Sequence, residues 1–115
     1  MLKFIVVLHK RAEMTPAQFR NHLRRIHAPL ALKLPGLRKY LHNYPAVDPT
    51  SKPPPWDAIV ELYFDDRETM ENAWASPQGK ASDADLPLFV DIERTSWSVV
   101  EEVEIVKEGG TRLGA

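Results

Sequence analysis

The side chains that could do chemistry in this 115-residue chain carry oxygen, nitrogen or aromatic groups, because the sequence contains no cysteine. The lack of thiols excludes disulfides, thiolate metal sites and cysteine nucleophiles. Histidines stand at positions 9, 22, 27 and 42. Because imidazole titrates near neutral pH, it can serve as an acid, a base or a metal ligand. The histidines are therefore the first candidates for a site.

His27 admits two interpretations. It lies at the edge of the apolar stripe of a predicted helix, where a partly buried imidazole often bonds to a neighbouring carbonyl. Pro29 should kink this helix and could aim the ring of His27 into a cavity. At such a partly exposed wall, His27→Ala should cost at most ~1 kcal/mol of stability. The spacing of five from His22 separates the two rings by about 140° on an α-helix, so no metal pair is predicted.

A second set of reactive groups lies on two predicted strands, where successive side chains alternate between the faces of a sheet. Tyr40 and His42 share one face of the second strand, and Glu61 and Tyr63 share one face of the third. These groups form either a solvated surface or the polar part of a small-molecule pocket. In a pocket, a buried Glu61 could act as an acid or base, and a neighbouring tyrosine or histidine could polarise a carbonyl or phenol.

The elements that must position these groups follow the order β, α, β, β, α, β. Apolar patterns predict strands over residues 2–9, 37–44, 56–64 and 95–106. The first helix begins at the cap Thr15, and its stripe consists of Phe19, Leu23, Ile26, Leu30 and Leu34. The second begins after Asp65-Asp66 and continues irregularly to residue 91. This order predicts an α+β, ferredoxin-like fold, with two helices on one face of a four-stranded antiparallel sheet.

The chain is expected to form one domain over residues 1–106, with a proline-rich loop at 45–55 and a flexible tail at 107–115. The net charge of −1 gives no support for nucleic-acid binding. No apolar run approaches the ~20 residues of a membrane span, and no signal-peptide pattern is visible, so the protein is expected in the cytoplasm. Phosphate loops, dinucleotide fingerprints and nucleophile elbows are likewise missing from the sequence.

The sheet is expected to bind a second copy of the chain. Both faces of the first and third strands are substantially apolar, whereas the helices cover only one of them. A symmetric second copy is the simplest cover for the open face. We therefore expect a homodimer whose two sheets enclose a cavity.

Several short segments, taken together and in this order, carry a family resemblance: KR at 10–11, TPAQFR at 15–20, HAPLA at 27–31, PGLRKY at 35–40, WDAIVELYF at 56–64, PLFVD at 87–91 and EEV at 101–103. The chain resembles the EthD family of the dimeric α/β-barrel superfamily over about residues 2–106. The resemblance implies a ferredoxin-like domain that pairs into a dimeric α/β barrel.

The resemblance also carries expectations about function. The family is named for an accessory protein of ethyl tert-butyl ether degradation and is commonly described as oxidoreductase-like. Related barrels include cofactor-free monooxygenases, polyketide dehydratases and methylmuconolactone isomerases. His27 and Tyr40 match the helix histidine and strand-two tyrosine of the isomerases, whereas residues 48–55 lack the loop histidine of that pattern.

Two functions remain open. The chain could be a cofactor-independent enzyme, monooxygenase-like or isomerase- or dehydratase-like, acting on a small aromatic, lactone or polyketide-like compound. His27 would then be the acid or base, with Tyr40 and Glu61 orienting or polarising the substrate. Alternatively, a non-catalytic accessory protein of a degradation pathway would hold a small hydrophobic ligand. The predicted substrate-binding residues are His42, Tyr63, Trp56 and Arg38. No metal or cofactor is predicted, although His27 or His42 could supply an axial ligand to haem.

The predicted dimer can be measured directly. Light scattering at micromolar protein concentration should give about twice the chain mass of 13.1 kDa. A clean monomer would leave the open face of the sheet uncovered and contradict the expectation.

Overall fold

The computed structural model describes residues 1–46, 53–106 and 109. Within these residues, a sheet of four antiparallel strands has the spatial order β2-β3-β1-β4. The strands are β1 (Leu2–Leu8), β2 (Lys39–Asn43), β3 (Ala58–Phe64) and β4 (Ser96–Val100). Helices pack on one face of this sheet around a shared apolar core. The arrangement confirms the predicted α+β, ferredoxin-like fold.

The last strand is shorter than predicted. It was expected to reach residue 106 but ends at Val100, which pairs with Lys3 near the start of β1. Because β4 lies at the edge of the sheet and, among the described strands, pairs with β1 alone, its pairing stops near the first residue of β1. The predicted tail, apart from Gly109, and positions 47–52 of the predicted loop lie outside the described residues.

The first helix begins as the sequence predicts. Thr15 and Gln18 form a reciprocal capping box, in which each backbone N–H donates to the other residue's side-chain oxygen. The helix then has three parts: α1 (Pro16–His22), a π-helical turn (Leu23–His27) and α2 (Ala28–Ala31).

The π-helical turn has a local cause in Pro29. Proline has no N–H to donate, and its ring would clash with the carbonyl of Arg25 in a regular α-helix. The chain instead closes a wider turn, in which the N–H of Ala28 donates to the carbonyl of Leu23. The extra residue rotates the side chains that follow. Ile26, which the predicted stripe placed in the core, is therefore 49% exposed, and His27 is buried.

The second helical layer consists of α3 (Arg67–Ala75), α4 (Pro77–Asp85) and a 3-10 turn (Leu86–Leu88). α3 and α4 meet closely at Gly79, where a Cβ atom would lie 2.3 Å from the carbonyl oxygen of Ala73. Ser76 separates the helices and caps α4 by accepting a hydrogen bond from Gly79 at 3.1 Å. In the part of the chain described, no helix has the length and apolar character needed to cross a bilayer.

The two faces of the sheet have different surroundings. Leu8, Val60 and Leu62 face the helices and are buried in the core. Ile5 and Glu61 pair across β1 and β3 on the opposite face, which no described helix covers. The alternation of a strand therefore sends neighbouring residues to chemically distinct sides of the molecule.

Candidate functional site

A cavity of about 560 Å³ lies between the sheet and the helices of a single chain. His27 and Tyr40 were expected at a cavity enclosed by the sheets of two copies, whereas the cavity that they line here is formed within one chain. The reason is that Tyr40 of β2 and His27 of the π-helical turn both face the layer between sheet and helices. Much of the wall is apolar and aromatic, including Phe4, Leu62, Trp74 and Trp97. An apolar cavity with a few polar groups is typical of a small-molecule site.

The most strongly organised polar group in the cavity wall is His27. It is only 8% exposed, and its Nδ1 lies 2.9 Å from Oδ2 of the buried Asp85. Nε2 of His22 lies 3.0 Å from each oxygen of the same carboxylate. An ionised carboxylate only accepts hydrogen bonds, so both imidazoles donate to Asp85. Neutral His27 therefore keeps its lone pair on Nε2.

This geometry corrects two expectations about His27. The side chain is buried rather than partly exposed, and it bonds to a carboxylate rather than to a backbone carbonyl. The second expectation, that the rings of His22 and His27 lie about 140° apart around the helix axis, assumed a regular α-helix. The π-helical turn widens the repeat, so that residues five apart come to one side and His22 and His27 reach Asp85 together.

Asp85 is a site residue that the sequence reasoning missed. It lies at the end of α4, and Phe89 beyond it stacks on the ring of His22 at a centroid distance of 4.2 Å. A signal was present: Ser82, Asp85 and Phe89 are spaced by three and four, as on one buried helical face. An acid on such a face needs a partner.

The electrostatics of the site favour a neutral His27 at neutral pH. Burial lowers the pKa of His27, and the hydrogen bond from His27 to Asp85 opposes this effect only in part. Burial also raises the pKa of Asp83, another carboxyl in the cavity lining. Among the described residues, no three histidine or acidic side chains are grouped so as to hold a metal ion.

Tyr40 enters the cavity from β2 with two further polar rings behind it. Its hydroxyl oxygen lies 2.6 Å from Nε2 of His42, and Nδ1 of His42 lies 3.0 Å from the hydroxyl of Tyr44. Burial raises the pKa of Tyr40 and lowers that of His42 to about 4. His42 was predicted to bind substrate, but it lies behind Tyr40 rather than among the described residues that line the cavity.

Glu61 and Tyr63 lie on the opposite face of the sheet from the cavity. Glu61 forms an ion pair with Lys3 and accepts a hydrogen bond from Asn43 at 2.9 Å. These donors lower the pKa of Glu61, in contrast to the raised proton affinity expected for a buried acid. The hydroxyl of Tyr63 lies 3.2 Å from the carboxylate of Glu102. The alternation of β3 explains why neither residue meets Tyr40.

Arg38 and Trp56, the other predicted substrate-binding residues, also lie outside the main cavity. The guanidinium of the exposed Arg38 pairs with Asp65 at 3.1 Å. Trp56 borders a separate small polar pocket together with Lys10 and Arg94. Of the predicted set, the structure thus places His27 and Tyr40 in the cavity lining, with His42 in contact with Tyr40 behind it.

Comparison with known proteins identifies the family. A model of the EthD domain matches residues 11–93. The chain belongs to the EthD family. A crystal structure of an EthD family protein from Bacillus halodurans C-125 is 29% identical, with a TM-score of 0.74 over 90% of this chain and 100% of that chain. The EthD match includes His27, Tyr40 and Asp85.

Two more distant structures share the fold. A dimeric protein of unknown function with a ferredoxin-like fold, from Bacteroides fragilis, is 16% identical, with a TM-score of 0.64 over 88% of this chain and 95% of that chain. SnoaB, a cofactor-independent oxygenase from Streptomyces nogalater, is 14% identical, with a TM-score of 0.61 over 88% of this chain and 91% of that chain. At these identities the similarity shows the fold alone.

The buried contact between His27 and Asp85 predicts a larger stability loss than the sequence did. His27→Ala should lower the free energy of unfolding by ~1.5–3 kcal/mol, because it removes a donor to a buried carboxylate. In a double-mutant cycle, Asp85→Ala should lower the free energy of unfolding by less in the His27→Ala variant than in the wild-type protein. Urea denaturation measures both effects, with Arg25→Ala on the exposed side of the same turn as control. Additive losses would contradict the contact.

His42 predicts a stability that depends on pH. Its pKa is about 4 in the folded chain against an ordinary value of 6.5, so between these values the unfolded chain binds more protons. Stability should therefore be highest above pH 6.5 and fall as the pH drops toward 4. Denaturant midpoints across this range should fall more gently in His42→Asn than in wild type. Parallel curves would show that His42 is not the titrating group.

Proposed function

We propose that this EthD protein is a cofactor-independent enzyme that moves protons on a small aromatic, lactone or polyketide-like compound. The observation that carries the proposal is the pair formed by His27 and Asp85 at an apolar cavity. Asp85 holds Nδ1 of His27, which leaves Nε2 as the base. The lowered pKa of His27 maintains that base form at neutral pH. A histidine oriented by a carboxylate is a general-base arrangement.

The cavity supports the choice of substrate. Its volume of about 560 Å³ is in the range of small-molecule sites. Phe4, Trp74 and Trp97 offer flat apolar surfaces on which a ring could pack. Trp97 is 61% exposed in the single chain, so a bound compound would also cover part of its surface.

The proposed reaction begins with proton abstraction. Nε2 of His27 takes a proton from the carbon next to a carbonyl, and the electrons of that C–H bond form an enolate. The hydroxyl of Tyr40 donates a hydrogen bond to the oxygen on which negative charge collects. Where a C=C bond is conjugated with the enolate, return of the proton from Nε2 to the far carbon moves the double bond and gives an isomer. Where a β-hydroxyl is present, it leaves with that proton as water and gives a dehydration product. With molecular oxygen as co-substrate, the carbanion carbon would form a C–O bond to O2, which accepts two electrons, and the proton held on Nε2 would complete a hydroperoxide.

A ligand-binding accessory protein is the second candidate function. It is favoured by the position of Glu61, which leaves the cavity without one of the predicted catalytic groups. In that case His27 and Tyr40 would orient a hydrophobic ligand without transforming it.

We further propose that the chain works as a homodimer through the open face of its sheet. Ile5, Leu41 and Ile59 on that face are only half-buried in the single chain, and the pair of Lys3 and Glu61 lies among them. The dimeric state of the Bacteroides fragilis protein supports this proposal. A partner sheet there would leave the cavity on the far side of each sheet.

Proton abstraction can be tested with 1-tetralone, an aromatic ketone with exchangeable hydrogens next to its carbonyl. In D2O, the wild-type protein should speed the loss of their NMR signal above the buffer rate. His27→Gln should lower the protein-dependent rate at least ~100-fold, the size expected on loss of a general base. Arg25→Gln is the matched control. A wild-type protein that binds the ketone without speeding exchange would favour the accessory function.

A further inference from the structure

A continuous chain of hydrogen bonds leads along β2 from the surface to the cavity. The hydroxyl of Tyr44 lies 3.0 Å from Nδ1 of His42, and Nε2 of His42 lies 2.6 Å from the hydroxyl of Tyr40. The rings cross nearly edge to face, with centroids 5.9 and 4.7 Å apart. Of these residues only Tyr40 is among the described residues that line the cavity. A ligand would therefore meet the other two only through Tyr40.

The direction of this chain depends on one imidazole. A neutral imidazole has one N–H and one lone pair, so His42 donates to one tyrosine and accepts from the other. The guanidinium carbon of Arg20 lies 5.0 Å from the ring centroid of Tyr44, and Arg24 contributes positive charge near both Tyr44 and His42. Positive charge near Tyr44 favours the arrangement in which the hydroxyl oxygen of Tyr44 faces the arginines. The hydrogens of the hydroxyls and of the imidazole then point toward the cavity.

We propose that Tyr44 and His42 are positioning residues that turn Tyr40 into a dedicated hydrogen-bond donor to an anionic oxygen of the ligand. In this arrangement the hydroxyl of Tyr44 donates to Nδ1 of His42, and the N–H at Nε2 donates to the oxygen of Tyr40. The hydrogen of Tyr40 is then left for the cavity. Successive hydrogen bonds polarise one another, so each strengthens the next.

The protonation states support this assignment. Burial lowers the pKa of His42 to about 4, so the ring stays neutral and can accept a hydrogen bond from Tyr44 while it donates one to Tyr40. Burial raises the pKa of Tyr40, so this residue keeps the hydrogen that it donates. The inference rests on the proposed function and refines its substrate class. The cavity would favour a compound that carries, or develops, a phenolate- or enolate-type oxygen at Tyr40.

Two probes of similar shape separate the anionic oxygen from the apolar ring. 4-Nitrophenolate, used where it is ionised, presents such an oxygen, and 4-nitrotoluene presents a methyl group instead. Tyr40→Phe should weaken 4-nitrophenolate binding about 10-fold, and Tyr44→Phe about 3-fold, with 4-nitrotoluene binding unchanged in both. Tyr63→Phe is the control, because its hydroxyl lies on the other face of the sheet. Isothermal titration gives each Kd.

The outcomes distinguish this inference from the proposed function. If Tyr40→Phe weakens 4-nitrophenolate binding and Tyr44→Phe does not, the positioning role is wrong and the role of Tyr40 stands. Equal losses for both probes in Tyr44→Phe would also overturn it, because they indicate a purely structural role. If Tyr40→Phe has no effect, the role of Tyr40 in the proposed function fails as well.

A measurement on the wild-type protein needs neither a probe nor a variant. ¹⁵N NMR of labelled histidine reports which nitrogen of His42 carries hydrogen near neutral pH. The proposed direction requires the hydrogen on Nε2. A hydrogen on Nδ1 would reverse the chain and overturn the inference.

Discussion

The missing N–H of Pro29 is the local constraint on which the arrangement of the cavity wall depends. A regular α-helix through this position would lose a hydrogen bond and press the proline ring against the carbonyl of Arg25. The π-helical turn over Leu23–His27 is closed by a donor that precedes the proline, the N–H of Ala28, and has one extra residue per turn. As a result, His22 and His27 reach the same side of the helix, and Ile26 turns outward.

The helix side that carries His22 and His27 forms part of the candidate site because α4 places the buried carboxylate of Asp85 against it. An isolated ionised carboxylate in the interior is costly, so Asp85 requires the two imidazole donors. The imidazoles in turn are held by the carboxylate and by the stacking of His22 on Phe89. The contact that satisfies Asp85 therefore also determines that neutral His27 carries its lone pair on Nε2, the nitrogen that the proposed reaction uses.

The sheet contributes by separating two kinds of surface. Tyr40 and His42 lie two residues apart on β2 and so share the helical side, where burial shifts their pKa values in opposite directions. Glu61 on β3 faces the other way, where Lys3 and Asn43 keep it ionised. In the proposals made above, one side of the sheet would hold a small molecule and the other would contact a second copy of the chain.

The sequence by itself determined the features that depend on near neighbours. The element order, the capping box of Thr15 and Gln18, and the division of strand residues between two faces follow from local hydrogen bonding and from the period of a strand. The EthD resemblance also followed from short segments read in order, and it was confirmed.

Only the tertiary structure decided which of these residues form one site. His27 and Asp85 are 58 positions apart, and their contact depends on how α4 packs against the first helix. Periodicity could place Tyr40 and Glu61 on strand faces, but it could not tell which face the helices cover. The turn at Pro29 shows the limit most clearly. A helical wheel assumes a constant rotation per residue. The π-helical turn has a smaller rotation per residue, so the wheel placed His27 and Ile26 on the wrong sides of the helix.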